Sequence, residues 1–173
     1  DRPMVNTLGV QMRQDHVHLG LYDTVARVTE NTVRDDTVRQ TLWGAYAQNE
    51  LTWAPWLRSV AGLRLDQLSA KVAGHNDVSH SGTATASRAS PKLSLIVGPW
   101  HDTEFFFNTG QGFHSNDARG ATARSNPQDG SAVEAVPLIV KAKGSELGLR
   151  TTPLKGWQSS LSVWQMDLAS ELV

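Results

Sequence analysis

The run Gly112–Gly120, GFHSNDARG, holds the densest group of side chains suited to binding a small molecule. His114 and Asn116 offer hydrogen-bond donors and acceptors, Asp117 a carboxylate and Arg119 a permanent cation. This set suits a ligand carboxylate, a catecholate–metal complex or a sugar hydroxyl, so we predict these residues as a ligand-binding group. The same residues also suit a network that fixes a loop, because Asn and Asp favour turns for local reasons.

The six histidines raise the question of a metal or haem site. His16 and His18 are two residues apart, which places both on one side of a strand and would make half of a metal site. No third histidine or carboxylate follows at a diagnostic spacing. We therefore predict solvated histidines in loops, with His101 at a short turn, and we expect neither a metal site nor a cofactor.

Motifs typical of enzymes are incomplete in this chain. Gly110-Gln111-Gly112 lacks the third glycine of a dinucleotide-binding turn. The run Gly144–Gly148, GSELG, has its serine in the wrong position for a nucleophile elbow. Glu104 and Glu146 would make an acid pair, but their place in an alternating pattern explains them better. We expect no catalytic residues and no enzyme.

Apolar and polar residues alternate along much of the chain, a period that is typical of β-strands with two different faces. Residues 24–42 would also fit a polar helix, but their sparse apolar residues, mostly valine, favour loop and strand extension. Leu161 and Val163 alternate in one phase and Trp164 in the other, which a β-bulge would reconcile. The pattern predicts seven strands at about Val5–Arg13, Gln40–Trp53, Trp56–Asp66, Pro91–Gly98, Thr103–Gly112, Lys143–Thr151 and Gln158–Leu168.

Charged residues lie in the middle of the polar faces of these strands, which suits a wide, water-filled lumen rather than the surface of a small soluble sheet. The predicted connections also alternate in length. Those at 53–56, 98–103 and 151–158 are short, whereas those at 14–39, 67–89 and 113–142 are long and polar. Barrels of the bacterial outer membrane have short turns at one end and long loops at the other. The charged residues that we expect to face the lumen are Glu50, Arg58, Arg64, Glu104, Glu146 and Arg150.

Four tryptophans fall at the predicted short turns, which would place them at one height once the strands run up and down. An amphipathic indole ring suits the membrane interface, so the four predict an aromatic girdle. The other interpretation is a tryptophan-rich core in a soluble β-protein. The residues concerned are Trp53, Trp56, Trp100 and Trp157.

Composition sets broad limits on the function. The chain has 173 residues, a net charge of −1 and no cysteine, so neither nucleic acid nor a disulfide scaffold is indicated. No apolar run approaches the roughly 18 residues of a membrane helix, but a barrel strand needs only about 9–11. The sequence begins with Asp1-Arg2-Pro3 and stops in what resembles a strand, so we expect part of a larger protein.

Several short motifs occur in the order found in one family. Residues 46–51 (YAQNEL) and 62–66 (GLRLD) resemble a descending and the next ascending barrel strand, SPKL at 90–93 opens a later one, and the run Gly112–Gly120 follows. Residues 146–150 (ELGLR) and 170–173 (SELV) continue the series. Singly these motifs are weak, but together they resemble the TonB-dependent receptors of the Gram-negative outer membrane over most of the chain from residue 40 onward.

The resemblance implies a fold class and a set of partners. It implies an all-β, antiparallel up-and-down meander of about seven strands, with residues 1–173 forming part of a larger transmembrane barrel without its plug domain. The expected location is the outer membrane, and the expected partners are membrane lipid, the plug, the rest of the barrel and the TonB complex. The expected ligand is a scarce solute of the siderophore, haem, vitamin or oligosaccharide class, bound in an extracellular loop by His114, Asn116, Asp117 and Arg119.

The alternative is a soluble all-β ligand-binding module with long binding loops. The direction of the apolar face distinguishes the two. In a membrane barrel, residues such as Leu93, Leu95 and Phe107 face outward, with Lys92 and Glu104 on the inner side. In a soluble sandwich the apolar face is buried instead.

Overall fold

The computed structural model describes residues 2–126 and 129–169, and a single sheet contains all the named strands. The resemblance at 170–173 therefore lies outside the described residues. In the described ranges, no helix is long and apolar enough to cross a membrane. The elements are β1 (Met4–Val25), β2 (Val28–Ala54), β3 (Leu57–Gly74), a 3-10 turn (Val78–His80), β4 (Gly82–Trp100), β5 (Thr103–Ser115), α1 (Ala118–Thr122), β6 (Ile139–Leu154) and β7 (Trp157–Leu168).

The seven strands lie side by side in sequence order, and each neighbouring pair is antiparallel. This confirms the predicted meander. Tight turns join the hairpins: Ala26 and Arg27 have φ values of 48° and 68°, and His101 and Asp102 of 49° and 59°. Two successive positive φ angles are typical of the type I′ turn, whose twist matches that of antiparallel strands.

The short connections are confirmed, but two of the predicted long loops are wrong. Residues 14–39 belong almost entirely to β1 and β2, which stay paired up to Val25 and Val28. Residues 67–89 continue β3 and β4 except at 75–81. The third long connection is real, at 116–138 between β5 and β6. The apolar residues of the outer face stop well before the strands do, because a ladder requires only paired backbone groups and not apolar side chains.

The two faces of the sheet differ as a membrane barrel requires. One face, here called the outer face, exposes the apolar alternation: Leu8 is 80% exposed, Leu93 38% and Phe107 39%. The other, here called the lumen face, carries Arg58 and Glu104, which bond to each other. A soluble sandwich would bury the apolar residues, so their exposure argues against the soluble module.

The apolar band crosses the sheet obliquely. On β7, the last apolar residue of the outer face is Val163. When the paired residues are followed from Val163 across the sheet, strand by strand, they lead to Met4 on β1. The apolar stretch of β1 nevertheless continues to Met12, opposite Trp43. A level membrane band thus meets strands that are inclined to it, as in barrels whose strands tilt by roughly 35–45°.

The predicted bulge in β7 is wrong. The pairing of β6 with β7 is unbroken from Ala142–Leu168 to Thr151–Ser159, and the only irregularity lies at the turn. Leu161 and Val163 are therefore on the outer face, and Trp164 lies opposite Glu146 on the lumen face. The apolar residues of β7 move from the outer face to the lumen face beyond Val163, because this part of the strand lies outside the membrane band.

A small core lies on the lumen face at the end of the long loop. Helix α1 contacts β2, β3 and β4, so the 116–138 loop reaches back across the sheet. The buried apolar side chains form one cluster that joins β2 and β3 to this loop. Its members are Val38, Leu68, Ala70, Val72, Ala118, Ala121 and Leu138.

Candidate functional site

Three charged residues meet on the lumen face near the short turns, and we call them the turn-end cluster. Glu104 on β5 accepts from Arg58 Nη2 of β3 at 2.6 Å and from Arg150 Nε of β6 at 2.6 Å. The side chains of Arg58, Glu104 and Arg150 are 30%, 18% and 46% exposed. The sequence predicted all three for the lumen but not their mutual contact, because β4 separates β3 from β5.

A second pair lies midway along β3. Arg64 Nε donates to both Asp66 oxygens, at 2.8 and 2.9 Å, and Arg64 Nη1 donates to Gln11 Oε1 of β1 at 2.7 Å. Gly44 lies between β1 and β3, and a Cβ at that position would stand 2.3 Å from Arg64 Nη2. Glycine at position 44 therefore leaves the room through which Arg64 reaches across β2.

The remaining predicted lumen residues share this face. Glu146 accepts from Asn108 Nδ2 at 3.0 Å across the β5–β6 ladder. Glu50 is half-buried and lies opposite Val60, in the same phase as Arg58. The register thus puts every predicted lumen charge on one wall, where water or another protein segment would contact it.

The predicted ligand-binding group lies where β5 runs into the long loop. His114 is the half-buried penultimate residue of β5. Asn116 is buried, and its Nδ2 donates to the Pro137 carbonyl at 2.7 Å. Asp117 caps α1 by accepting from the Arg119 backbone at 2.8 Å, and it also accepts from the Arg119 side chain at 2.6 Å. Asn116 and Asp117 are therefore engaged in holding the loop, and the Arg119 side chain is paired with Asp117.

The pair of Asp117 and Arg119 has a clear electrostatic signature outside the membrane band. Burial raises the pKa of Asp117, but the hydrogen bonds from Arg119 and the positive charges of Arg119 and Arg34 outweigh it. The pKa of this carboxyl therefore lies below its usual value. The carboxyl that caps α1 stays ionised through the neutral range.

Beneath α1 lies an ion pair that sequence reasoning missed, which we call the loop-end pair. Arg34 Nε donates to Asp36 Oδ2 at 2.8 Å, and the Asp36 side chain is fully buried. Within the described residues, Asp36 Oδ1 and Arg34 Nη2 have no hydrogen-bond partner. The available signal was the alternation of Arg34, Asp36 and Val38, which the interpretation of residues 14–39 as a loop concealed.

The histidines are placed differently from the prediction. His16 and His18 lie in β1 and His114 in β5, so they are not loop residues. Of the five histidines predicted in long loops, His80 is buried and His75 alone is exposed in a connection, whereas His101 lies exposed in the short turn between β4 and β5, as predicted. His18 contacts Asp35 and lies 5.7 Å from the His75 ring, centre to centre. In residues 2–126 and 129–169, no group of three or more metal-binding side chains is arranged around a common point.

The tryptophans lie at the short-turn end, as predicted. Trp53 Nε1 donates to Ser59 Oγ at 2.8 Å, and Trp157 Nε1 donates to Ser159 Oγ at 2.6 Å. The ring centres of Trp100 and Phe105 lie 6.3 Å apart on the outer face. Each of these indoles, and Trp56 in the turn, is about half exposed. Rings with an apolar body and a satisfied N–H suit a membrane interface.

Comparison with known proteins agrees with this geometry. Residues 4–173 match the family described as TonB dependent receptor-like, beta-barrel. The alcaligin outer membrane receptor FauA from Bordetella pertussis shares 15% identity and a TM-score of 0.60, with 95% of this chain and 30% of that chain covered. The copper transporter OprC shares 16% identity and a TM-score of 0.60, with 95% and 27% covered.

These likenesses have definite limits. At such identities the two solved structures support the fold alone, and this chain spans less than a third of either one. No curated protein matches the chain in sequence. The two solved proteins are also described by different solutes, alcaligin and copper, so the shared fold does not specify a solute.

Proposed function

We propose, because this chain belongs to the family of TonB-dependent receptor β-barrels, that it is part of a transporter that imports a scarce solute. The family is one of receptors and transporters of the outer membrane, and that membrane is where the chain resides. The remaining strands, a plug domain and the TonB complex would come from outside residues 1–173. The solute classes we propose are siderophore, haem, vitamin and oligosaccharide.

The observation that carries this proposal is the charged lumen wall. Glu104, Arg58 and Arg150 are paired but not buried, and Arg150 keeps nearly half of its side chain accessible. Exposed ion pairs contribute only about 0–1 kcal/mol each. The charged residues of this wall can therefore exchange their partners for charged residues of a plug at little cost in free energy. Many such weak contacts would hold a plug in place and still let it move during transport.

The upper lumen supplies the proposed solute contact. His114 lies on the lumen face, and Arg119 lies on the loop with its charge balanced by Asp117. We assign His114 and Arg119 to solute contact, and Asn116 and Asp117 to holding the loop that presents them. The glycine-rich strand end around Gly112 leaves open space, since a Cβ there would meet nothing within 4 Å.

The transport proposal is tested by uptake in cells that produce the full-length protein. Radiolabelled ferric siderophore, haem, cobalamin and an oligosaccharide are offered in turn, with and without a functional TonB. We expect uptake of one class to require both the protein and TonB. If removal of the gene left the uptake of all four classes unchanged, the transport proposal would be wrong.

The role of the lumen wall is tested separately. The double variant Arg58→Ala/Arg64→Ala should increase the labelling of single cysteines placed in the plug and should change uptake. Lys155→Ala, at an exposed short turn, is the matched control because it also removes a cation but leaves the lumen intact. Unchanged plug labelling and uptake in the double variant would show that these arginines do not hold the plug.

A further inference from the structure

A row of basic residues crosses the outer face near the loop end of the sheet. His16 on β1 lies opposite Arg39 on β2, and Arg39 lies opposite Lys71 on β3. All three side chains are exposed, while their neighbours Val38, Ala70 and Val72 are buried on the other side. We propose that this outer-face basic row binds the phosphate groups of a lipid headgroup in the outer leaflet.

The height of the row matches that of headgroups. On this face, the apolar stretch of β2 ends at Trp43 on the side of the loop end. Arg39 lies four positions closer to the loop end than Trp43. At about 3.3 Å per residue and a tilt of roughly 45°, Arg39 stands on the order of 9 Å above Trp43. The headgroup layer begins at the edge of the hydrocarbon, and flexible Arg and Lys side chains reach several Å along a surface.

The charges of the row are not balanced by the protein. Like charges opposite each other on neighbouring strands are unfavourable. Within residues 2–126 and 129–169, neither Arg39 nor Lys71 forms an ion pair, and the nearby carboxylate of Asp35 is engaged by His18. An anion placed between Arg39 and Lys71 would relieve this repulsion, and a phosphate offers oxygens to both.

The surface at the row is also concave. A hollow of about 310 Å³ is lined by His16, Arg39 and Lys71 together with Thr37, Ala73 and His75. Thr37 and His75 bond to each other at 2.7 Å, so one wall of the hollow is fixed. The hollow faces lipid rather than the lumen, so a headgroup with acyl chains lying along Met12 and Trp43 fits it better than a free anion.

The test uses the purified full-length protein in a neutral detergent. Its affinity is measured by native mass spectrometry for lipid A carrying both phosphates and for enzymatically dephosphorylated lipid A. We expect Arg39→Gln/Lys71→Gln to weaken binding of the phosphorylated form by about 25-fold, since each cation near a membrane surface contributes roughly a factor of five. Binding of the dephosphorylated form should be weak for every variant.

The matched control is Lys92→Gln/Lys155→Gln, which removes two cations from the lumen face and a short turn. Its affinity should stay within twofold of the unaltered protein. Resistance of the barrel to SDS without heating verifies folding, and the single variants, each about fivefold weaker, serve if the double variant does not fold.

Three results would overturn the proposal. They are equal binding of phosphorylated and dephosphorylated lipid A, an affinity of the Arg39/Lys71 variant within twofold of the control, and displacement of lipid A by low millimolar inorganic phosphate. The last would indicate a site for free phosphate. None of these measurements depends on solute uptake, so this proposal and the transport proposal fail independently.

Discussion

Two of the charged groups on the lumen face differ strongly in burial. In the turn-end cluster, Arg150 is 46% exposed and Glu104 has arginine partners on both sides. In the loop-end pair, Asp36 is fully buried, Arg34 is 10% exposed, and each keeps a polar atom without a partner in the described structure. One group lies open on the wall and the other lies under α1.

This difference indicates two uses of charge on one wall. Exposed pairs are cheap to break and to re-form, so the turn-end cluster suits a surface that another segment leaves and rejoins. A buried pair contributes little net stability, but losing one partner costs much because the other charge remains in a dry site. The loop-end pair therefore suits a fixed position for the 116–138 loop.

The largest effect is expected for Asp36→Ala. Removal of the carboxylate takes away the hydrogen-bonded partner of the buried Arg34, which costs about 3–5 kcal/mol. The 116–138 loop should then open, and hydrogen exchange across it should rise in the full-length protein. Asp15→Ala is the control, because Asp15 pairs with an Arg13 whose side chain is 74% exposed. Unchanged protection of the loop in Asp36→Ala would show that the buried pair does not hold it.

The next effect concerns the apolar side of the same contact. Leu138 is 5% exposed and joins the loop to Leu68 and Val72, so Leu138→Ala should weaken loop docking by about 2–5 kcal/mol. Limited proteolysis within 116–138 measures the change. Leu154→Ala provides the comparison, since Leu154 is 67% exposed at a short turn. Equal proteolysis rates for the two variants would contradict a packed loop.

The sequence predicted the parts of this wall that follow from alternation. Arg58 and Glu104 were assigned to the lumen because period-2 phasing carries through a paired strand, and Trp53 and Trp157 were placed by the short turns. Phasing does not reveal which strands come together when the sheet curves. The alternation could therefore not predict the contact of Arg58 with Glu104 across β4.

The loop-end pair was missed for a different physical reason. The apolar alternation of β2 begins near Trp43, and this point was interpreted as the start of the strand. It marks only the membrane boundary, because the strand itself begins at Val28. Above that boundary, the outer face of β1 and β2 is polar and the lumen face is covered by α1, so Asp36 is buried by a segment about 80 residues later in the chain. Only the long-range packing of the 116–138 loop shows that position 36 is dry.

A smaller effect is expected from pH. The pKa of Asp117 is below its usual value in the folded loop, so its ionised form stabilises the loop above the ordinary pKa of about 4, and that contribution is lost as the pH falls through the lowered value. The hydrogen-exchange rate of the loop amides, corrected for the intrinsic pH dependence of exchange, should stay constant from pH 7 to 5 and rise below about 4. The Asp129 carboxyl titrates in the same loop with a lowered pKa, so Asp117→Asn is needed to separate the two. Identical pH profiles for Asp117→Asn and the unaltered protein would exclude a contribution from this cap.

The smallest effect on stability is expected for Arg150→Ala. Glu104 keeps its bond to Arg58 Nη2 and stays partly solvated, so the free energy of unfolding in lipid vesicles, followed by tryptophan fluorescence in urea, should fall by only about 0–1 kcal/mol. The same variant should still alter the labelling of plug cysteines, because the most accessible partner on the wall is gone. A loss of stability as large as that of Asp36→Ala would remove the distinction between the two groups. It would mean that Glu104 is a fixed structural charge, and that the plug docks elsewhere.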